Sequence, residues 1–90
     1  MKSLVVRHSV VIRGHRTSVS LEDRFWNALQ DIAKERYQSV GQLIESIDTK
    51  RRHLNLSSAL RMFVLSFYQH EFEIAKRVRA EFLNRTLTIF

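Results

Sequence analysis

The sequence has 90 residues, a formal net charge of +6, two glycines, no proline and no cysteine. A chain of that length holds one small domain and buries only a modest share of its surface, so association with a second copy is a natural route to stability. Without cysteine there are no disulfides, thiolate nucleophiles or cysteine-built zinc sites, and no run approaches the roughly 18 apolar residues of a membrane span.

Residues 1–20 carry Lys2, Arg7, Arg13 and Arg16 and no acid. Arg7 and His8 interrupt the apolar run after Lys2 too early for a signal peptide, so a soluble, cytoplasmic protein without a membrane partner is expected. Residues 4–13 alternate loosely, Leu4, Val6, Val10 and Ile12 on one parity and Val5, Arg7, Ser9, Val11 and Arg13 on the other. Gly14 marks a turn or bulge. From Arg16 to Leu21 the alternation is strict, with Thr17, Val19 and Leu21 on one face and Arg16, Ser18 and Ser20 on the other. That pattern predicts a half-buried strand.

The period then changes. Glu22 and Asp23 suit the positive end of a helix, and Phe25, Leu29, Ile32, Ala33 and Tyr37 follow at helical spacing with Trp26 on the flank. An amphipathic helix over about Glu22–Arg36 is predicted. Ser39 is a good N-cap for a second helix with apolar Val40, Leu43, Ile44 and Ile47. Residues 21–49 hold three basic and six acidic side chains, a net of −3. Asp48–His53 reads as a polar connection, and Asn55 or Ser57 can cap a third helix carrying Leu60, Phe63, Val64, Phe67 and Tyr68. Its pattern continues through Phe72, Ile74, Ala75, Val78 and Phe82 to about Leu83, and residues 84–90 are β-prone. Residues 50–90 hold eight basic and three acidic side chains, a net of +5. Acids gathered in the middle and a purely basic front present a positive face, the footprint of polyanion binding.

One strand of six or seven residues cannot stand alone, because its backbone donors and acceptors need a mate. Either the same strand of a second copy pairs with it about a two-fold axis, or residues 4–12 fold back as a hairpin. A dimer of such hairpins would make a four-stranded sheet about 15 Å wide, too broad for a major groove of about 12 Å. An arm that extends the strand or stays mobile is therefore the favoured expectation, adding Arg7 and Arg13 to a phosphate-binding surface.

Strand, helix, short turn and capped helix resemble the ribbon-helix-helix class of the Arc and methionine repressors. The match rests on Arg16-Thr17-Ser18-Val19-Ser20-Leu21-Glu22-Asp23, the amphipathic helix and Ser39. More narrowly, Val11-Ile12-Arg13-Gly14-His15 leading into that strand, Phe25-Trp26, and Asn55-Leu56-Ser57-Ser58-Ala59-Leu60-Arg61 are similar to a group of short bacterial ribbon-helix-helix proteins. The resemblance covers roughly residues 9–68. It implies a mostly α fold with a short β-ribbon, an intertwined homodimer with an extra C-terminal helix. The corresponding division is a basic arm or extra strand over 1–15, a core over 16–53, a third helix over 54–83 and a tail over 84–90.

The resemblance further implies paired strands in the major groove of double-stranded DNA, with Arg16, Ser18 and Ser20 touching base edges. Arginine can give two hydrogen bonds to guanine, and a serine hydroxyl can donate or accept. Ser39, Val40 and Gly41 at the second helix N-terminus are expected on a phosphate, with Arg7, Arg13 and Arg51 supplying further phosphate contacts. Gly41 carries no side chain to block that approach. Val19, Leu21, Phe25, Trp26, Leu29, Ile32, Leu43, Ile44 and Ile47 are expected to form the dimer core. Many members place glycine just after the first helix, where this chain has Tyr37-Gln38; a left-handed C-cap there would cost about 1 kcal/mol or more.

His8, His15, His53 and His70 show no helical pairing suited to a metal. No catalytic arrangement and no glycine-rich phosphate loop is present in the sequence, so neither an enzyme nor a cofactor is expected. The leading reading is a homodimeric, sequence-specific transcriptional regulator, a repressor or autoregulator, with dimers able to associate further. The alternative is an antitoxin-like or scaffold module that binds a protein through its C-terminal helix.

Overall fold

The computed structural model describes residues 4–52 and 54–89. Strand β1 (Val5–Ile12) and strand β2 (His15–Glu22) form an antiparallel hairpin, followed by α1 (Asp23–Glu35), α2 (Val40–Lys50) and α3 (Leu56–Ile89). The register runs from Val5 opposite Glu22 to Ile12 opposite His15. Between them Arg13 and Gly14 take φ of 50° and 77°, the two positive angles of the tight hairpin turn whose twist matches that of its strands. Arg13 is held there by its own contacts: its guanidinium donates to Asp48 and Thr49, each at 2.9 Å, and its N–H to Glu45 at 3.3 Å. Strand β2 lies where the alternation predicted it, but its mate is β1 of the same chain. The expectation that the arm extends the strand or stays mobile is thereby corrected: residues 5–12 fold back as the hairpin that the sequence also allowed. A two-residue loop brings the two strands together with little intervening chain.

The helix ends follow local chemistry. At α2, Ser39 Oγ accepts from the Gln42 N–H at 3.1 Å and Gln42 Oε1 accepts from the Ser39 N–H at 2.9 Å, a complete capping box. Asn55, rather than Ser57, caps α3, accepting from the Ser58 N–H at 2.8 Å. Helix α1 ends in a Schellman motif, with Gln38 N–H on the Ala33 carbonyl and Tyr37 N–H on that of Lys34. Tyr37 therefore occupies the left-handed position, at φ 57°. The second helix runs to Lys50, shortening the predicted connection, and α3 continues through residues 84–89. Neighbouring helical turns win over the β-prone composition of that stretch.

The core joins the inner face of the hairpin (Val10, Ile12, Val19, Leu21) to α1 (Leu29, Ile32, Ala33), α2 (Leu43, Ile44, Ile47) and the first turns of α3 (Ala59, Leu60, Val64). Phe25 and Trp26 are half-buried against it, and the His8 ring lies flat on Trp26, centroids 4.3 Å apart. Val19, Leu21, Leu29, Ile32, Leu43, Ile44 and Ile47, expected in a dimer core, are buried within the single chain. Strand β1 and α3 contribute Val10, Ile12, Ala59, Leu60 and Val64 to that cover. At the far side, Arg36 lies over Phe63 and Phe67, 5.3 and 5.6 Å from their centroids, pinning the end of α1 to α3.

The molecule measures 60 × 32 × 25 Å, with a radius of gyration of 17.2 Å against about 12 Å for a compact 90-residue domain. The excess is α3. At 34 residues it is about 51 Å long, and from Gln69 to Arg85 every residue is exposed.

Candidate nucleic-acid interface

Alternation along both strands decides what the hairpin shows to solvent. The inner parity goes to the core, and the outer face pairs Arg7 with Ser20, Ser9 with Ser18 and Val11 with Arg16. All six are exposed. Arg16, Ser18 and Ser20, expected on one face from the sequence, lie together there, and β1 adds Arg7, Ser9 and Val11 beside them. Ser9 and Val11 were missed as candidates. The signal was present in the shared parity of Arg7, Ser9 and Val11, and it gains meaning only once the arm is known to be a strand.

The ribbon's edges are closed in part. Ile12 and His15 flank the two-residue loop and exchange hydrogen bonds, so the backbone groups of Val11 and Ser20 belong to the alternate set that points away from the hairpin. The Ser20 carbonyl accepts from Ser57 Oγ of α3 at 2.7 Å. Next to it, Glu22 receives the Arg61 guanidinium at 2.6 and 2.9 Å. That hydrogen bond is the main reason the Glu22 carboxyl is held below the ordinary carboxylate range, and it offsets the acid nearest the basic face. On the other edge α2 starts against β1: a Cβ added to Gly41 would lie 2.5 Å from the Val11 carbonyl oxygen. Gly41 is buried. The close approach of β1 is by itself a reason for the absence of a side chain there.

The N-terminus of α2 keeps a binding capacity of its own. Ser39 satisfies the Gln42 N–H and its carbonyl takes the Leu43 N–H, which leaves the N–H groups of Val40 and Gly41 without an intrahelical acceptor. They border a cavity of about 450 Å³ lined by Ser9, Val10, Val11, Arg16, Ser39, Val40 and Gly41. The fold therefore brings Arg16 to the same concavity as Ser39, Val40 and Gly41, more than 20 residues away in sequence. An anion there would meet a guanidinium and the positive end of a helix together.

Arg13 and Arg51 both meet an acid within the chain. Asp48 binds Arg51 at 2.6 Å and Arg13 at 2.9 Å, and Arg51 also donates to the Leu54 carbonyl at 3.1 Å. Hydrogen bonds from Arg13 and then Arg51 hold the Asp48 carboxyl below its ordinary range. Both arginines, expected on DNA, clamp the hairpin turn and the α2–α3 connection onto the end of α2. Arg7 and Arg16 make no ion pair among the described residues. Also among the described residues, no group of three or more side chains is placed to hold a metal ion, and no helix is long and apolar enough to cross a membrane.

A family model described as the ribbon-helix-helix domain matches residues 5–68, well over half of the chain. Among curated proteins and among solved structures, nothing matches significantly.

Proposed function

The chain belongs to the ribbon-helix-helix family, and on that footing we propose that it is a sequence-specific DNA-binding regulator, a repressor or autoregulator acting as a homodimer. The family is a DNA-binding class whose members typically bind as dimers. The observation that carries the proposal is the outer face of the hairpin, where Arg7, Ser9, Arg16, Ser18 and Ser20 are exposed. Glu22, the acid at the end of β2, is paired with Arg61.

The ribbon in this reading is the β1–β2 hairpin of a single chain. Two strands about 4.8 Å apart fit a major groove of about 12 Å, whereas joining two hairpins edge to edge would exceed it. Arg16 reads a guanine edge, and Ser18 and Ser20 make adaptable contacts to neighbouring bases. Ser39 and the free amides of Val40 and Gly41 hold a backbone phosphate beside Arg16 and set the depth of the ribbon. Arg7 adds a phosphate contact from β1. Repression follows from occluding a promoter.

Selection of bound DNA from a random pool tests this, followed by gel-shift titration of the enriched sequence at two salt concentrations. Enrichment of one motif with a steep loss of affinity in higher salt supports the proposal. No enrichment and no shift at micromolar protein refutes it and favours the protein-binding, antitoxin-like alternative.

A further inference from the structure

The end of α1, the second half of α2, the α2–α3 connection and the first turns of α3 converge around a cavity of about 550 Å³. Its floor is apolar. Ile47 and Ala59 are buried there, Phe63 is half-buried, and the exposed side chains of Leu54 and Met62 stand beside them. Around this floor lie four cations, Arg36, Lys50, Arg51 and Arg52, and among the described residues no carboxylate lines the cavity. Elsewhere the chain pairs such groups, Asp48 with Arg13 and Arg51, and Glu22 with Arg61. Arg36, Lys50 and Arg52 make no ion pair among the described residues. Like charges gathered beside an apolar surface repel one another, and a bound anion relieves that repulsion.

We propose that this cavity is a binding site for a small amphipathic anion, a carboxylate carried on an aromatic or alkyl body. The body lies on Ile47, Ala59 and Phe63, and the carboxylate sits among Lys50, Arg51 and Arg52. Size agrees, since small-molecule sites span roughly 300–1,000 Å³ and combine a mostly apolar lining with a few charged groups. The side chains agree as well. Met62 is unbranched and adaptable, and its thioether packs well on aromatic rings. Arg36 already lies over the Phe63 ring, 5.3 Å from its centroid, so a flat body entering there meets an aromatic face and a planar cation together. Arg51 gives one donor to Asp48 and one to the Leu54 carbonyl, which leaves part of its fork for a carboxylate. Lys50 and Arg52 carry the rest of the charge. A bare phosphate would leave the apolar floor uncovered, and a neutral apolar molecule would leave the cations unpaired. The ligand that satisfies both halves of the cavity has a charged end and an apolar one.

This cavity shares no lining residue with the concavity formed by Arg16 and the start of α2. The inference therefore stands or falls apart from the DNA reading, and its test needs no DNA.

The full chain is titrated in low salt with naphthoate and with decanoate, with naphthamide as the neutral match and inorganic phosphate as the anion without a body. The amide spectrum of the isotope-labelled protein locates binding, and calorimetry measures it. At least one of the two carboxylates should give saturable shifts centred on Ser46, Ile47, Leu54, Ala59 and Phe63, and the tighter of them tells an aromatic from an alkyl body. Lys50→Gln combined with Arg52→Gln removes two exposed cations that make no ion pair among the described residues. That double variant should weaken the carboxylate at least roughly tenfold and leave naphthamide unchanged. Met62→Glu, at a side chain 52% exposed, should keep the helical content and weaken the carboxylate by a similar factor. No saturable shift at millimolar probe overturns the proposal, whether the cavity is bare or covered by another chain. Phosphate or naphthamide binding there as tightly as the carboxylates overturns it as well, and so does a carboxylate affinity that both variants leave intact.

Discussion

Replacing Gly41 by alanine distinguishes two reasons for a glycine at the start of α2. An alanine Cβ would stand 2.5 Å from the Val11 carbonyl oxygen, about 0.9 Å inside the 3.4 Å at which ordinary contact begins. Neither neighbour gives way cheaply. Val11 is fixed in the ladder opposite Arg16, and α2 is anchored two and three residues later by Leu43 and Ile44, both fully buried. Forcing the two backbones apart costs about 1–3 kcal/mol, as overpacking in a core does, while alanine in place of glycine in a helix returns at most about 1 kcal/mol. The expected net is a loss of about 1–2 kcal/mol, or a fall in Tm of roughly 4–15 °C for a domain of this size. Thermal and urea unfolding followed by circular dichroism, at one fixed protein concentration because a dimer shifts Tm by mass action, measure it. An alanine variant more stable than the parent, by about the propensity gain, would refute the contact with β1. If that variant also bound DNA more weakly, the glycine would be serving the phosphate after all.

Tyr37→Gly should stabilise the chain by about 0.5–1 kcal/mol, because the residue is left-handed at φ 57° and 98% exposed, so strain is relieved and no packing lost; unchanged or lower stability in urea unfolding would contradict the Schellman cap. Arg16→Ala should cost about 1–3 kcal/mol of DNA binding and relax the preference at one base position. Arg7→Ala should instead weaken all sequences alike and reduce the salt slope by about 1 per chain, as gel shifts on the selected motif and a scrambled one will read. Acid should unfold the protein through Glu22 and Asp48. Both carboxyls are held low in the folded chain, chiefly by hydrogen bonds from Arg61 and Arg13, so their stabilisation is present above the ordinary carboxylate range and is lost as pH falls through their folded values. Glu22→Gln should flatten that part of the stability-against-pH curve, and an unaltered curve would argue against the Arg61 bridge in solution.

Much of this protein is written locally. Strict alternation at Arg16–Leu21, helical spacing at Phe25–Ala33, and the Ser39 and Asn55 caps each depend on residues within a turn or two of one another, so the order of elements and the outward placing of Arg16, Ser18 and Ser20 follow from sequence alone. What the sequence left open was every question of which partner a group meets across a distance. A strand's need for a mate says nothing about whether a second copy or the chain's own front supplies it. Here the left-handed pair Arg13-Gly14, secured by Asp48 and Thr49 from α2, folds the chain's own front onto one edge of that strand. The same holds for Arg13 and Arg51, whose shared neighbour Asp48 is not visible in the charge pattern, and for Gly41, whose neighbour across the fold is the Val11 carbonyl of β1. Periodicity fixes the direction of a side chain because it is a property of one element. The identity of its neighbour is a property of two, and is decided only when both are packed on one core.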